Sequence, residues 1–271
     1  MIFAFFWNFI IRCIESFALY PAPPFPTYYS ETVRRTLLAS GREVAHLIHY
    51  RGKWMNDIPP GKPIVLCYHG NGMGLRDCAD LYHPLFENVD AVFVIPEYAN
   101  YVRGGFSSRM RRSTQTEELL EEAVEFCNFI HTNQPSAPLF VLGHSLGTGV
   151  AIHLAATPSL SSVMCGVMLV SPYLSIVSIV SPVLAKWMPW IDLLCSHKLV
   201  SSVKCPMLSF AGMADGLIAP WHSAALFDLQ HKEDNTVLLR GAGHNSIMTS
   251  SHMPLISDKM ALFIRDCCSK K

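Results

Sequence analysis

The sequence predicts an α/β protein with a mostly parallel central sheet and helices on both faces. Three observations predict it. Short apolar runs alternate with longer helical stretches along most of the chain, the pattern of repeated strand–helix–strand units. Several of the runs end in glycine-containing turns. One of them, residues 139–142, leads into Gly143-His144-Ser145-Leu146-Gly147, a G-x-S-x-G turn from strand to helix with a serine at its apex. At 271 residues the chain is long enough for one large α/β domain with a sizeable core.

The elements follow in order. Residues 1–20 are nearly all apolar, and Asn8, Arg12, Glu15 and Ser16 interrupt them. At helical spacing those four fall within an arc of roughly 100°. Such a helix is marginal as a membrane span and suits lying in a bilayer interface with its polar stripe toward water. Residues 21–30, with Pro21-Ala22-Pro23-Pro24-Phe25-Pro26, form a stiff extended linker, and 31–271 form the domain. Strands are expected over 44–50, 63–68, 92–95, 139–142, 163–170, 206–211 and 236–239. Helices are expected over 75–86 and over 116–132, the latter with acidic residues in its first turns. Between Pro172 and Lys204 the chain is strongly apolar (Ile176, Val177, Ile179, Val180, Trp187, Met188, Trp190). It reads either as a wall or lid over a site or as an ordinary core-facing helix pair.

A serine hydroxyl needs a base to become a nucleophile, and the base needs a group that orients it. Where a strand-to-helix turn presents the serine, the partners follow in the order acid, then histidine. The strand at 206–211 runs into Gly212-Met213-Ala214-Asp215-Gly216, and the strand at 236–239 leads to Gly241-Ala242-Gly243-His244-Asn245. Both groups lie just past the carboxyl end of a strand, where parallel sheets place their sites. Ser145, Asp215 and His244 are therefore the candidate nucleophile, acid and base. His69 and His144 are rival bases that precede the acid. Asp228 and Asp234 are weaker substitutes for Asp215. The strand at 63–68 ends in His69-Gly70-Asn71-Gly72-Met73-Gly74, where backbone can approach a substrate carbonyl closely. The N–H groups near Asn71 and Gly72, with that of Leu146, are the candidate oxyanion donors. A dinucleotide fingerprint fails because Leu75 occupies its third glycine position, and the chain holds no G-K-[ST] tripeptide.

These motifs together resemble the α/β-hydrolase superfamily of serine hydrolases, from about Tyr20 onward. The H-G-N, the G-A-G-H-N and the upstream Y-P-x-P-P segment are similar to a membrane-associated branch that includes protein depalmitoylases. The resemblance implies an α/β-hydrolase fold with a short or absent cap. It also implies esterase, lipase or thioesterase chemistry on a lipophilic acyl ester or thioester, with Ser145, Asp215 and His244 in the roles given above. That branch usually carries Y-x-G-Y-G-x-S after its fourth strand, where this chain has Glu97-Tyr98-Ala99-Asn100-Tyr101-Val102-Arg103-Gly104-Gly105. The difference bears on substrate choice.

Half the residues are hydrophobic and only 15% charged, with positive mean hydropathy, so the chain is greasier than a typical cytosolic enzyme. Twenty-one basic residues balance 21 acidic ones, and the Arg109-Met110-Arg111-Arg112 run is too short to argue for a nucleic-acid partner. The nine cysteines are an odd number without a C-x-x-C and read as reduced thiols. Spacing suggests no metal site, and the chemistry needs no cofactor. Cys13 and Cys267-Cys268 are positional candidates for palmitoylation. The expected setting is a membrane surface, reached through the N-terminal helix, with the domain facing the cytosol. The alternative function is a catalytically silent hydrolase fold serving as a membrane-tethered binding protein.

Overall fold

A computed structural model describes residues 32–98, 115–187, 192–249 and 251–269. The interfacial segment 1–20, the linker 21–30, the 99–105 loop, the 109–112 run, Met188 and Trp190 lie outside the described residues. Among the described residues no helix is long and apolar enough to cross a membrane.

The chain begins with β1 (Arg34–Leu37), β2 (Glu43–Tyr50), β3 (Lys53–Trp54) and β4 (Ile64–Tyr68), then α1 (Leu75–Asn88) and β5 (Val92–Pro96). Next come α2 (Gln115–Asn133), β6 (Leu139–His144), α3 (Leu146–Ala156) and β7 (Met164–Val170). A crossover carries α4 (Ile176–Val180), α5 (Pro182–Trp187), α6 (Ser196–Leu199) and a 3-10 turn (Val200–Ser202). The chain closes with β8 (Met207–Gly212), α7 (Trp221–Gln230), β9 (Thr236–Leu239) and α8 (Met253–Cys268).

Successive strand side chains face opposite ways, and here both directions lead into apolar core. Ile64, Leu66 and Tyr68 join one cluster with α2 and α3, while Val65 and Cys67 join the other with α1 and α8. That double burial explains why the central strands read as continuous apolar runs. The sheet order is β1-β2-β5-β4-β6-β7-β8-β9, with β3 paired to β2. From β5 to β9 neighbours are parallel, while β1, β2 and β3 add an antiparallel flank. The chain leaves β4 toward β5 on one side and leaves β6 toward β7 on the other. The loops after β4 and β6 therefore bracket the point where the winding reverses, the place where such sheets bind ligands. One irregularity matters later: Leu139 pairs with Met164 but Phe140 pairs with Gly166, so Cys165 is an extra residue in β7.

The expected α/β architecture is the one observed. Two short strands, β1 and β3, and the long helix α8 were not anticipated. Half of β1 is Arg34-Arg35, and its side chains alternate only between exposed and half-buried, so it lacks an apolar signal.

Candidate active site

The elbow after β6 is built from glycines. A β-carbon on Gly143 would fall on the Gly147 backbone, and one on Gly147 would fall on the Tyr68 carbonyl. Without them α3 could not lie so close to the ends of β4 and β6. Ser145, between them, has φ 49° and ψ −114°, a conformation that non-glycine residues rarely adopt. Its N–H is tied sideways to the Val170 carbonyl at 2.9 Å. The turn projects the hydroxyl at the N-terminus of α3, and Leu146 supplies the first N–H of that helix.

A continuous hydrogen-bonded chain runs from this hydroxyl. Ser145 Oγ lies 3.0 Å from His244 Nε2, and His244 Nδ1 lies 2.9 Å from Asp215 Oδ2. With Nδ1–H donated to the carboxylate, Nε2 is left to accept the serine proton. Asp215 Oδ1 accepts the N–H groups of Leu217 and Ile218 at 2.9 and 2.8 Å, and Oδ2 also accepts the Ser171 hydroxyl at 3.1 Å. The Asp215 side chain is fully buried, whereas the His244 side chain keeps 16% exposure. The structure thus brings together the three groups expected from the sequence. Asp228 and Asp234 are exposed, with Asp228 on α7 and Asp234 beyond it.

The rival histidines have other partners. His144 accepts from or donates to the Tyr82 hydroxyl through Nδ1 at 2.8 Å, and its ring stacks 6.3 Å from that of His244. Burial, then the neighbouring His244 and His69, push its pKa down to about 3, so it stays neutral beside the site. His69 is clamped at both nitrogens: Nδ1 donates to the Gly70 carbonyl at 3.0 Å and Nε2 meets Glu97 Oε1 at 3.0 Å. Glu97 also accepts the N–H groups of Leu75 and Tyr98, and the Tyr98 hydroxyl donates to the His69 carbonyl at 2.6 Å. The carboxylate, with two backbone donors, and the imidazole, engaged at both ring nitrogens, form a buried, fully partnered pair. Because a trans peptide points its C=O and N–H in opposite directions, holding the Gly70 carbonyl fixes where Asn71 N–H points. Gly72 follows with φ +72°. Glu97 was missed in the sequence, since its partner lies 28 positions away and only the fold joins them.

The crossover after β7 has a packed and an open side. Ile176 and Ile179 pack on the core, while Val180, Val183 and Trp187 are 81, 67 and 74% exposed. The segment is seated on the core by its inner residues, as the core-facing reading expects, and leaves an apolar outer face. Met213, Leu217 and Trp221, around the Asp215 loop, are exposed as well.

Spacing suggested no metal site, yet the fold gathers one group of ligand-type side chains among the described residues. Asp192, Cys195 and His197 bring ligand atoms within 4.8 Å of one another. Each group is already engaged. Asp192 Oδ1 accepts Val177 N–H at 3.0 Å, His197 Nδ1 donates to the Leu174 carbonyl at 3.0 Å, and Cys195 Sγ donates to the Asp192 carbonyl at 3.5 Å. Burial, then Asp192, push the Cys195 thiol up to about 11. The cluster ties the crossover to the start of α4.

A strained serine after a parallel strand, on a sheet wound in this order, defines the α/β-hydrolase fold. Over residues 62–203 the chain matches the family described as serine aminopeptidase, S33 (Hydrolase_4), and it belongs to that family. It is 28% identical over 240 residues to an alpha/beta hydrolase of Acanthamoeba polyphaga mimivirus, covering 85% of this chain and 86% of the relative. Among solved structures it is similar to an esterase of Pyrococcus furiosus (TM-score 0.66, 14% identity, 90% of this chain and 98% of that one). A monoacylglycerol lipase of Paleococcus ferrophilus is also similar (TM-score 0.59, 17% identity, 83% and 100%). At these identities the structural likeness speaks for the fold.

Proposed function

We propose that this protein is a serine hydrolase that cleaves carboxylic esters or thioesters of a lipophilic acyl group. The observation that carries the proposal is the unbroken chain from Ser145 through His244 to Asp215 at the strained elbow. His244 takes the Ser145 proton as the hydroxyl attacks the carbonyl, and Asp215 stabilises the imidazolium. The N–H groups of Leu146 and of the Asn71-Gly72 turn hold the oxyanion, and water then releases the acid through the same base. The exposed apolar residues of the crossover and the Asp215 loop favour an acyl chain over a polar substrate. The esterase and lipase among the similar structures agree with ester chemistry, while the family description adds peptide N-termini as a competing substrate. An amphipathic segment at residues 1–20 would hold the domain on a membrane whose lipids or acylated proteins supply that substrate, the setting in which depalmitoylases work.

Fluorophosphonate labelling of the purified protein tests the chemistry. Wild type should label, and Ser145→Ala and His244→Ala should not. A folded wild type that stays unlabelled would overturn the proposal in favour of a binding protein on a silent hydrolase fold. Turnover of p-nitrophenyl esters of increasing length, set against an aminoacyl amide, separates the acyl reading from the peptidase one. Sedimentation with anionic vesicles, with and without residues 1–20, tests the anchor.

A further inference from the structure

Five non-glycine residues among those described have φ in the left-handed region: Arg51, Ser145, Ser171, Leu194 and His231. Two of them are serines in equivalent places on adjacent parallel strands. Ser145 is the first residue past β6, and its N–H bonds the Val170 carbonyl at 2.9 Å. Ser171 is the first residue past β7, and its N–H bonds the Phe210 carbonyl at 2.8 Å. The first strained turn is explained by the half-buried hydroxyl it presents to His244. The second is 2% exposed and presents nothing to a substrate.

Its hydroxyl goes elsewhere, to Asp215 Oδ2 at 3.1 Å, the same oxygen that receives His244 Nδ1–H at 2.9 Å. Glycine would adopt φ 50° without strain, so a serine here is explained by what its side chain does. The other oxygen of Asp215 is fixed by two backbone N–H groups. Among the described residues, Ser171 is therefore the side chain that joins His244 on the working oxygen of this carboxylate. We infer that Ser171 is a positioning residue, the fourth member of a Ser145–His244–Asp215–Ser171 network contributed by the ends of four successive strands. It holds Oδ2 in line with His244 and draws on the carboxylate's charge, so that Asp215 accepts the imidazole proton's hydrogen bond without taking the proton. A hydroxyl donating to an ionised carboxylate is charge-assisted.

This inference rests on the serine-hydrolase reading, and the test separates the two. Ser171→Gly removes the hydroxyl and relieves the backbone, while Ser171→Ala removes the hydroxyl and keeps the backbone cost. Both are compared with wild type and Ser145→Ala in p-nitrophenyl butyrate turnover, fluorophosphonate labelling rate and thermal unfolding. In both variants kcat should fall about ten- to hundred-fold with KM unchanged, the worth of one hydrogen bond to a charged group. A carboxylate without its serine donor binds the imidazolium more tightly, so the acid limb of the kcat profile should move to higher pH. The other titratable groups facing this pair are His144 on the elbow and His222 at the start of α7, and neither changes in these variants. Ser171→Gly should unfold at or above the wild-type temperature, which keeps the test valid even where Ser171→Ala folds poorly. A Ser171→Gly protein with wild-type kcat and an unmoved acid limb overturns the inference. So does a loss of kcat that comes with a matching loss of thermal stability and no change in pH profile. A wild type that neither labels nor turns over the ester fails the hydrolase reading itself, and this inference falls with it.

Discussion

The crossovers that leave β6 and β7 are neighbours in the sheet and opposites in construction. After β6 the chain enters α3, in which nine of eleven residues are buried and glycines bring backbone against backbone. After β7 it enters α4 and α5, where Val180, Val183 and Trp187 face outward. The first leaves no room for a β-carbon at Gly143, Gly147 or Gly149. The second presents apolar surface on short helices with few buried side chains. On the proposed function, reaction chemistry sits where backbone packs against backbone, and contact with the acyl chain sits where side chains can change at little cost in stability.

The largest effect that would break this contrast lies at the elbow. Gly147→Val places a β-carbon on the Tyr68 carbonyl and should cost more than about 3 kcal/mol, read as a collapse of the unfolding temperature or loss of soluble protein. A stable Gly147→Val protein would mean that α3 can retreat from β4, and the rigid half of the comparison would fail.

A medium effect concerns acid. His144 is neutral in the folded elbow, with its pKa near 3, while an unfolded histidine titrates near about 6.5. Below that value the unfolded chain binds a proton that the folded one does not. Stability therefore falls as pH drops from the unfolded pKa toward 3, by about 1.4 kcal/mol per pH unit for this group. His49, held down to about 4 by burial, adds to the slope. Replacing both partners, as Tyr82→Phe with His144→Leu, should flatten the elbow's share in denaturant unfolding measured at several pH values. Trp187→Ser should leave the slope unchanged.

The smallest effect belongs to the crossover. Trp187→Ser should change stability by no more than about 0.5 kcal/mol, raise KM for long-chain p-nitrophenyl esters a few-fold and leave short-chain turnover alone. Equal effects on both chain lengths would show that the crossover supports the fold and does not meet the acyl chain.

Much of this was legible in the sequence because local chemistry and tertiary role coincide. G-x-S-x-G marks a turn wherever it packs, and Asp215 and His244 each follow a short apolar run that reads as a strand. The residues that stayed hidden are those whose meaning comes from pairing. Glu97 looks like an ordinary loop acid until the fold sets it against His69. Ser171, in Val170-Ser171-Pro172, looks like a turn residue until β8 delivers Asp215 beside it. Edge strands β1 and β3 carried no apolar periodicity, since only one side of β1 is even half-buried. The elbow helix α3 is apolar all round, so periodicity could not have oriented it.

The extra residue in β7 has a further meaning when the molecule is considered as something that changes length over generations. Up to Met164 the strand keeps one phase with β6, and from Gly166 to Val170 it keeps another, with Cys165 as the slack between them. The alignment that sets Ser171 level with Ser145 is thus counted back from the site rather than forward from the start of the strand. Gains or losses of a residue in the turn before Met164 end at the bulge, and the spacing between the two serines is insulated from them.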